Sequence, residues 1–481
     1  MKVHLGVVAV AALCLAPSWA RSAPQEEGAL RDRVERALAE ELARLRASIV
    51  DTVRQELGRA AGGIDGALSL VSPDLLRKHA TYLASDELEG RQAGYKGNVK
   101  AAEYIASVMK EARLIPVGDK DAKGNATYFQ KFNLGRLETR NCLGMLEGSD
   151  PKLKEEILVI GAHFDHLGIA GQEGPPFQRS DRPRDDDKTW NGADDNGSGT
   201  STLLGLVKAF GEGGLKPKRS ILFIAFSGEE AGLLGAYHYV SEPIAPIGRH
   251  VFMLNLDMVG RNPAKAMQIE GVGSAEGPRL RKTVEDAVAA TGLKSKISDK
   301  VTVTGGDSDH TPFKEAGVPF TFFFSGFHAD YHKVTDHADK LAYDNMVLVA
   351  RTAARIVMTL ADNDETLAAR KLEFGAPAPA RPKRMLGIGI DGIPDEEREE
   401  LGLKEGEGAL KVTAVSKGSA ASEAGLKTDD VLVGLAQKTL SPGSESEDLR
   451  KILDAIKPGE DVDVSVIRGG KRMSLKAKWD K

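Results

Sequence analysis

The sequence predicts an α/β protein in which a domain with a largely parallel or mixed central sheet precedes a smaller β-rich domain. Between residues 72 and 365, helical patterns such as AAEYIASVMKEARL alternate with short apolar runs such as EEILVIGAH and SILFIAFSGEE. Residues 366–383 break this alternation, because they are rich in Pro and Ala and predict a semi-rigid linker. Residues 384–481 carry short Val/Ile runs, which indicate the separate β-rich domain.

Composition excludes one class of partner. The chain has 481 residues, of which 41% are hydrophobic and 28% charged, so it is long enough for two or three domains with their own cores. Its net charge is -5, aromatic residues make up 5%, and Lys and Arg are scattered instead of clustered. A nucleic-acid-binding surface needs a basic cluster, so no nucleic-acid partner is expected.

The first 20 residues have the pattern of a signal peptide. Lys2 precedes an apolar run over residues 5–15, and small residues lead up to Ala20. We expect export to the periplasm or the extracellular space, with no stable membrane span after cleavage. An N-terminal membrane anchor is the alternative, although the run is short for a bilayer of about 30 Å. Lipidation at Cys14 is a weaker third reading, and cleavage would leave Cys142 without a disulfide partner in its own chain.

Residues 21–71 predict a helical segment. Leu, Ile and Val recur there at steps of three and four among Arg and Glu, which is typical of one amphipathic helix. The apolar stripe would dock on the body of the protein or pair with a second copy. Self-association through this helix is therefore one of the expectations.

Carboxylates and histidines follow the apolar runs of the larger domain. Ligands of doubly wound sheets lie beyond the carboxyl ends of the strands, so these side chains are expected to meet there. ILVIG continues into AHFDHLG, FIAFSG into EEAG, and VFMLNL into an aspartate, while NGADDNGSG is a Gly-rich turn before a helix. The candidate residues are His163, Asp165, His166, Asp194, Asp195, Glu229, Glu230, Asp257, His332 and His337.

Each of these residues taken alone has a structural explanation. A strand-end Asp usually caps a helix or a turn, as Asp194 and Asp195 would for a helix beginning near Ser198. The coincidence of so many argues otherwise, because clustered carboxylates repel one another and are costly to bury without a compensating cation. The pattern therefore predicts a metal site.

The donor types indicate the metal. Two histidines with several carboxylates and no thiolate suit zinc or a similar divalent ion, and they are enough for two ions. A dinuclear site commonly shares a bridging carboxylate and a bridging water, and that water is the expected nucleophile. Alternate residues of a strand point the same way, so Asp165 is expected to hold the imidazole N–H of His163.

These motifs resemble those of the di-zinc aminopeptidases of clan MH, the secreted bacterial leucine aminopeptidase type. The similarity covers about residues 72–362, through LASDELEGRQAG, AHFDHLG, GADDNGSG, FSGEEAGLLGA, NLDMVGR, SDHTPF and YHKVTD. It implies the three-layer α/β/α zinc exopeptidase fold, also described as phosphorylase/hydrolase-like, and two Zn²⁺ per chain. It also implies a cis peptide bond between Asp195 and Asn196.

The resemblance assigns roles to the site residues. It makes His163 and Asp257 ligands of one zinc, Glu230 and His332 ligands of the other, and Asp195 the bridge between them. Adjacent strand-end glutamates diverge, which leaves Glu229 as the general base beside the bridging water. Asp165 joins Glu229 in the catalytic group, as the carboxylate that orients His163.

Two departures from the family pattern leave the side-chain preference open. The usual YHTPxDT is YHKVTDH here, and a polar, Pro-rich insert at residues 168–190 separates the first histidine motif from Asp195. His310, Asp309 and Tyr331 are assigned to substrate binding, with His310 near the substrate or just behind the ligands. A structural turn is the alternative for His310.

Residues 384–481 resemble a PDZ domain of the bacterial protease type, through RMLGIGI, GSAASEAGLKTDDVLVGL and KPGEDVDVSVIRGGKRMSL. The resemblance makes the segment Leu386, Gly387, Ile388 and Gly389 the loop that captures a peptide C-terminus. A PDZ domain that only packs against the rest of the protein is the alternative.

The sequence therefore predicts an exported metallo-aminopeptidase that removes N-terminal residues from peptides. The expected partners are its peptide substrates and peptide C-termini at the PDZ domain. Three other functions remain open: a glutaminyl-cyclase-like zinc acyltransferase, a carboxypeptidase or dipeptidase of the same fold, and a non-catalytic, metal-stabilised scaffold that presents the PDZ domain.

Overall fold

The computed structural model describes residues 62–134, 136–172, 187–301, 308–368, 388–393, 398–404, 406–415, 420–442, 445–456 and 460–478. The predicted leader 1–20, most of the segment 21–71, most of the linker 366–383, and Leu386 and Gly387 lie outside these ranges. Within the described ranges, no helix has the length and apolar character needed to cross a membrane.

The larger domain alternates helices and strands, as predicted. Its helices are α1 (Gly63–Leu68), α2 (Pro73–Leu83), α3 (Lys96–Glu111), α4 (Gly199–Glu212), α5 (Leu234–Ser241), α6 (Arg279–Thr291), α7 (His310–Glu315) and α8 (Tyr343–Asp362). Its strands are β1 (Ile115–Pro116), β2 (Phe129–Leu134), β3 (Leu137–Leu146), β4 (Ile157–His163), β5 (Ser220–Phe226), β6 (His250–Leu256), β7 (Met267–Glu270), β8 (Ser295–Ile297) and β9 (Phe320–Phe324).

These strands form one mixed sheet. In the described residues the order is β1-β3-β5-β4-β6-β9-β7-β8, with β2 paired to β3. The four neighbours β5, β4, β6 and β9 run parallel, whereas β3 and β7 flank this group and pair antiparallel with its outer strands β5 and β9. The carboxyl ends of the four parallel strands therefore meet at one edge of the sheet.

The parallel strands are covered on both faces. Every residue of β4, β5 and β6 is buried, which is what unbroken apolar runs predict for strands between two helical layers. Alternate residues enter different cores: Leu158 and Ile160 pack in the core that contains residues of α2, α3, α4 and α8. Val159 packs in the core that contains residues of α5 and α7. The predicted α/β class, with three layers and a mixed central sheet, is confirmed.

The β-rich domain has its own sheet and its own core. Its strands are β10 (Ile388–Gly392), β11 (Leu410–Val415), β12 (Val431–Leu435), β13 (Lys438–Thr439), β14 (Asp461–Arg468) and β15 (Lys471–Lys478), and its helices are α9 (Ala420–Glu423) and α10 (Glu445–Ala455). All the strand pairs among the described residues of this domain are antiparallel. Ile388 and Gly389 of the predicted capture loop pair with Val415 and Ala414 at the start of β10.

A single buried arginine joins the loops at the carboxyl edge of the larger sheet. Arg91, at the end of the turn Asp86–Arg91, is 1% exposed and donates from Nε to the carbonyl of Phe164 at 2.7 Å. Its Nη1 donates to the carbonyls of Leu83 and Asn191, and its Nη2 donates to that of Gly192 at 2.9 Å. One guanidinium therefore fixes the segment after β4 against the segment that leads to the next Gly-rich turn.

Replacing this arginine should destabilise the fold markedly. Arg91→Met leaves several buried carbonyl groups without a donor, at about 1–3 kcal/mol each, so we expect a loss of at least about 3 kcal/mol in the free energy of unfolding. Urea denaturation measures this loss. Arg249→Met is the control, because Arg249 is half exposed and pairs with Glu155 at the surface, where about 0–1 kcal/mol is expected. Equal losses in the two variants would contradict the structural role of Arg91.

Buried histidines make the fold sensitive to acid. His79 on α2 is 3% exposed, its Nδ1 lies 2.8 Å from the hydroxyl of Tyr104, and burial lowers its pKa to about 4. Because this pKa lies below the value of about 6.5 in the unfolded chain, the unfolded state takes up the proton first as the pH falls. The contribution of His79 to stability is complete above pH 6.5 and is lost as the pH falls from there toward 4.

We therefore predict that His79→Gln reduces the loss of unfolding free energy between pH 7 and pH 5 by about 2 kcal/mol relative to the unsubstituted chain. Glutamine can still bond the hydroxyl of Tyr104 but does not titrate in this range. Urea denaturation at both pH values, with and without the substitution, gives the difference. The same pH sensitivity in both proteins would show that His79 is not a neutral buried histidine.

Candidate metal centre and cleft

The predicted ligands converge at the carboxyl edge of the sheet. His163 is the last residue of β4, Asp257 follows β6 directly, and Glu230 lies in the turn after β5. His332 lies in the loop after β9, and Asp195 comes from the turn Ala193–Ser198 at the start of α4. The peptide bond between Asp195 and Asn196 is cis, as the family resemblance implies.

These side chains form two groups that share one aspartate. In the first group, Nε2 of His163 lies 3.4 Å from Oδ1 of Asp195 and 3.3 Å from Oδ1 of Asp257. In the second, Nε2 of His332 lies 3.0 Å from Oδ2 of Asp195 and 3.4 Å from Oε2 of Glu230. Asp195 thus turns a different carboxylate oxygen toward each histidine.

The spacing of these donors fits a pair of zinc ions. Zn–N and Zn–O distances near 2.0–2.1 Å place two ligands of one tetrahedral ion about 3.3 Å apart. The four N···O distances, from 3.0 to 3.4 Å, lie close to that separation. The groups His163, Asp195, Asp257 and His332, Asp195, Glu230 would each hold one divalent ion.

The two adjacent glutamates have different surroundings. Glu230 faces His332, whereas Oε2 of Glu229 lies 3.9 Å from Nε2 of His163 and its side chain is 14% exposed. Burial raises the pKa of Glu229 well above its ordinary value. Burial would raise the pKa of Glu230 too, but His332 and a hydrogen bond from His166 hold it well below its ordinary value. Glu230 is therefore placed among the metal donors, whereas Glu229 lies beside them.

Asp165 lies behind His163, but it holds the imidazole differently from the sequence expectation. Nδ1 of His163 is 3.3 Å from the backbone carbonyl of Asp165 and 3.8 Å from its carboxylate. The carboxylate instead accepts the backbone N–H of Glu229 at 3.1 Å, which explains the longer contact. Burial raises the pKa of Asp165 to about 7. The residue therefore links the turn that carries Glu229 to the strand that carries His163.

His310 and Asp309 are not brought into the cleft, contrary to their assignment to substrate binding. His310 is 1% exposed and stacks against Phe320 and Phe322, with ring centroids 4.8 and 4.6 Å away. Burial lowers its pKa to about 3. Asp309 is fully buried as well, and burial raises its pKa well above the ordinary value. The motif SDHTPF leads into helix α7, whose Phe313 packs in the core on one face of the sheet.

Tyr331, the third residue assigned to substrate binding, does line the cleft. It lines the cleft together with Met258, Phe322, Phe324, Phe327 and the metal-binding groups. The ring of Tyr331 stacks on that of His332 at a centroid distance of 3.8 Å. Aromatic rings and polar donors therefore meet in the same cleft.

Three residues support the ligands in ways that the sequence does not predict; of these, only His166 is among the candidates. Oδ2 of Asp336 accepts the N–H groups of Asp194 at 2.8 Å and Asp195 at 3.2 Å. Ser308 donates from Oγ to Oδ2 of Asp257 at 2.8 Å. His166 contacts Glu230, with 2.7 Å between Nδ1 and Oε1. All three stand inside the quoted motifs, but only the folded geometry shows which ligand each one contacts.

Comparison with known proteins identifies two parts of the chain. Residues 141–357 match the model of peptidase family M28, and residues 387–478 match that of the PDZ domain. Leupeptin-inactivating enzyme 1 of Streptomyces exfoliatus is 29% identical over 251 residues, which is 52% of this chain and 46% of that protein. Aminopeptidase YwaD of Bacillus subtilis is 32% identical over 219 residues, which is 44% of this chain and 42% of that protein. The matched regions thus span less than half the length of these relatives.

Solved structures with a similar backbone include the LapA aminopeptidase of Legionella pneumophila, with a TM-score of 0.47 and 19% identity, covering 63% of this chain and 75% of that chain. A glutaminyl cyclase of Porphyromonas gingivalis has a TM-score of 0.48 and 20% identity, covering 60% of this chain and 98% of that chain. The part of this chain that holds the ligand motifs, residues 141–357, is therefore similar to peptidase family M28, and the part at residues 387–478 is similar to a PDZ domain.

Proposed function

We propose that this protein is an exported di-zinc aminopeptidase that hydrolyses N-terminal residues from peptides. One observation carries the proposal: Asp195 turns one oxygen toward His163 and the other toward His332, while Glu229 stands beside both groups without joining either pair. A purely structural metal site has no need of such an extra carboxylate. Export is supported by the signal-like pattern of residues 1–20.

The chain's own residues would divide the work between holding metal and moving protons. When bound, two zinc ions would lower the pKa of a water molecule toward about 7 and polarise the scissile carbonyl. His163 and Asp257 would hold one ion, His332 and Glu230 the other, and Asp195 both. Asp336 and Ser308 fix the carboxylates of this set, because the former bonds the backbone at Asp195 and the latter bonds Asp257.

Glu229 would act as the general base and then as the general acid. Its carboxylate is buried at the mouth of the donor groups and faces His163, so it would take a proton from the attacking water. The same carboxyl would then give that proton to the departing amine. The hydrogen bond from the backbone N–H of Glu229 to Asp165 keeps this turn in place during both transfers.

Aromatic residues in the cleft support an apolar residue at the scissile position. Phe322, Phe324, Phe327 and Tyr331 line the cleft together with the donors, so an apolar N-terminal side chain would lie against aromatic rings while its carbonyl faces the donors. Such contact favours the hydrolysis of substrates with N-terminal Leu over those with Asp or Lys.

A substrate panel tests the proposed reaction. Purified protein with measured zinc content would be offered peptides with a free N-terminal Leu, the same peptides N-acetylated, and peptides with N-terminal Gln. Cleavage of the free-amine peptides alone, with about two zinc ions per chain, is the expected result. Cyclisation of Gln with little hydrolysis would favour the acyltransferase, cleavage from the C-terminus a carboxypeptidase, and no turnover by a zinc-loaded chain the scaffold.

We predict that Glu229→Gln keeps the zinc content but lowers kcat by about 10²- to 10⁴-fold, because the amide keeps the shape of the side chain and cannot accept a proton. Steady-state kinetics and metal analysis on the same preparation measure both effects. Glu212→Gln is the control, since Glu212 pairs with Lys208 on the surface of α4. Near-normal kcat with full zinc occupancy would remove Glu229 from the mechanism.

The PDZ domain suggests a second binding event on the same substrate. A PDZ domain holds a free C-terminal carboxylate, whereas an aminopeptidase acts on the free amine, so one extended peptide would be held at one end and trimmed at the other. Such tethering lowers KM and leaves the chemical step unchanged. A domain that serves only to pack against its neighbour would show no preference for a free C-terminus.

For the intact protein we therefore predict a KM that is roughly 10-fold lower for long peptides with a free apolar C-terminus than for the same peptides amidated, at equal kcat. The chain without residues 384–481 should show no such difference and should keep its kcat on a small amino-acid amide. Equal KM values for free and amidated peptides on the intact protein would leave the domain with a structural role.

A further inference from the structure

His166 lies beside the second metal-binding group, in contact with Glu230, but has no part in the proposed reaction. It follows β4 in the motif AHFDHLG, is fully buried, and sets its ring edge-on to that of His332, with 5.7 Å between the centroids. Its Nδ1 lies 2.7 Å from Oε1 of Glu230 and 3.8 Å from Oδ2 of Asp195. A third histidine at this point is either an additional ligand or a residue that positions one.

The distances indicate that His166 positions Glu230 and is not itself a metal ligand. Two nitrogen and oxygen ligands of one tetrahedral zinc lie about 3.3 Å apart, as the pairs made by His332 do. The contact of 2.7 Å between His166 and Glu230 is shorter than that and has the length of a hydrogen bond to a charged group. The contact of 3.8 Å with Asp195 is too long for a hydrogen bond and exceeds the ligand separation of about 3.3 Å.

The two oxygens of Glu230 face different histidines. Oε2 lies 3.4 Å from Nε2 of His332, on the metal side, whereas Oε1 accepts from Nδ1 of His166. With Oε1 engaged in this way, Glu230 offers a single oxygen to an ion. Carboxylate ligands of metal sites are commonly oriented by such hydrogen bonds, and the loss of one weakens the bound metal.

The backbone around His166 is built to admit its ring. Gly192 has a φ of 54°, and a Cβ there would lie 2.4 Å from both Cγ and Cδ2 of His166. The same Cβ would lie 2.1 Å from the backbone carbonyl of Asp195. A glycine at this position therefore lets the imidazole lie directly against the turn that carries the bridging aspartate.

We propose that His166 is a positioning residue for the second metal ion: it donates from Nδ1 to Oε1 of Glu230 and so limits Glu230 to a single-oxygen contact. This inference rests on the proposed function, since it assumes two metal ions at the site. It goes beyond that function because it makes the affinity of one ion depend on a residue that is not its ligand.

Zinc titration of three chains tests this role. Apo-protein would be titrated with zinc against a competing chelator in the unsubstituted chain, in His166→Ala and in His166→Asn. We expect His166→Ala to weaken one of the two ions by about 10- to 100-fold and to leave the other within a few-fold. His166→Asn should recover most of the lost affinity, because its amide N–H can donate to Glu230 from nearly the same place.

Cobalt(II) absorption spectra of the same chains report on the second site independently of activity. His337→Ala is the matched control, since the side chain of His337 is 41% exposed and pairs with Asp187, which belongs to neither metal-binding group. Unchanged affinity for both ions in His166→Ala, or equal weakening of both, would overturn the proposal. Equal loss of zinc affinity in His166→Asn and His166→Ala would also overturn the proposal, because it would indicate that His166 is itself a ligand. An unsubstituted chain that binds no zinc would instead refute the proposed function.

Discussion

The crowding of carboxylates in a buried place is the constraint on which the rest of this structure depends. Asp195, Glu229, Glu230 and Asp257 meet at one sheet edge, with side chains between 4% and 14% exposed. Their mutual repulsion and the loss of hydration would together oppose folding into this arrangement. Two divalent cations would turn that penalty into attraction, so the arrangement makes physical sense as a ligand set.

The sheet and the hydrogen bonds of its loops hold these carboxylates in place. Four parallel strands with buried faces deliver their carboxyl ends to one edge, and the ligands stand at or just beyond those ends. Arg91 donates to backbone carbonyl groups in the segment after β4 and in the segment before Asp195, and so fixes the two segments to each other. Its positive charge is engaged by carbonyl groups and does not occupy the place of a metal ion. Asp336, Ser308 and His166 each hold one ligand segment from outside. The sheet thus brings the donors together, and the surrounding hydrogen bonds fix their orientation.

Sequence patterns predict the central strands of the sheet and the place where the site lies. The unbroken apolar runs of β4, β5 and β6 predict strands buried on both faces, and side chains at their ends predict a common site because parallel strands share a carboxyl edge. The contacts behind the ligands are not predictable in this way. His310 stands in a motif next to the site, yet its ring stacks against two phenylalanines of β9 and is buried there. The contact of Asp165 depends likewise on a backbone N–H that no pattern marks.

Anomalous diffraction at the zinc absorption edge, from crystals grown with zinc, would test the bridging role of Asp195 most directly. The account predicts two peaks about 3.5–4 Å apart, one beside His163 and Asp257 and the other beside His332 and Glu230, with one oxygen of Asp195 on each. A single peak, or two peaks of which only one touches Asp195, would contradict it.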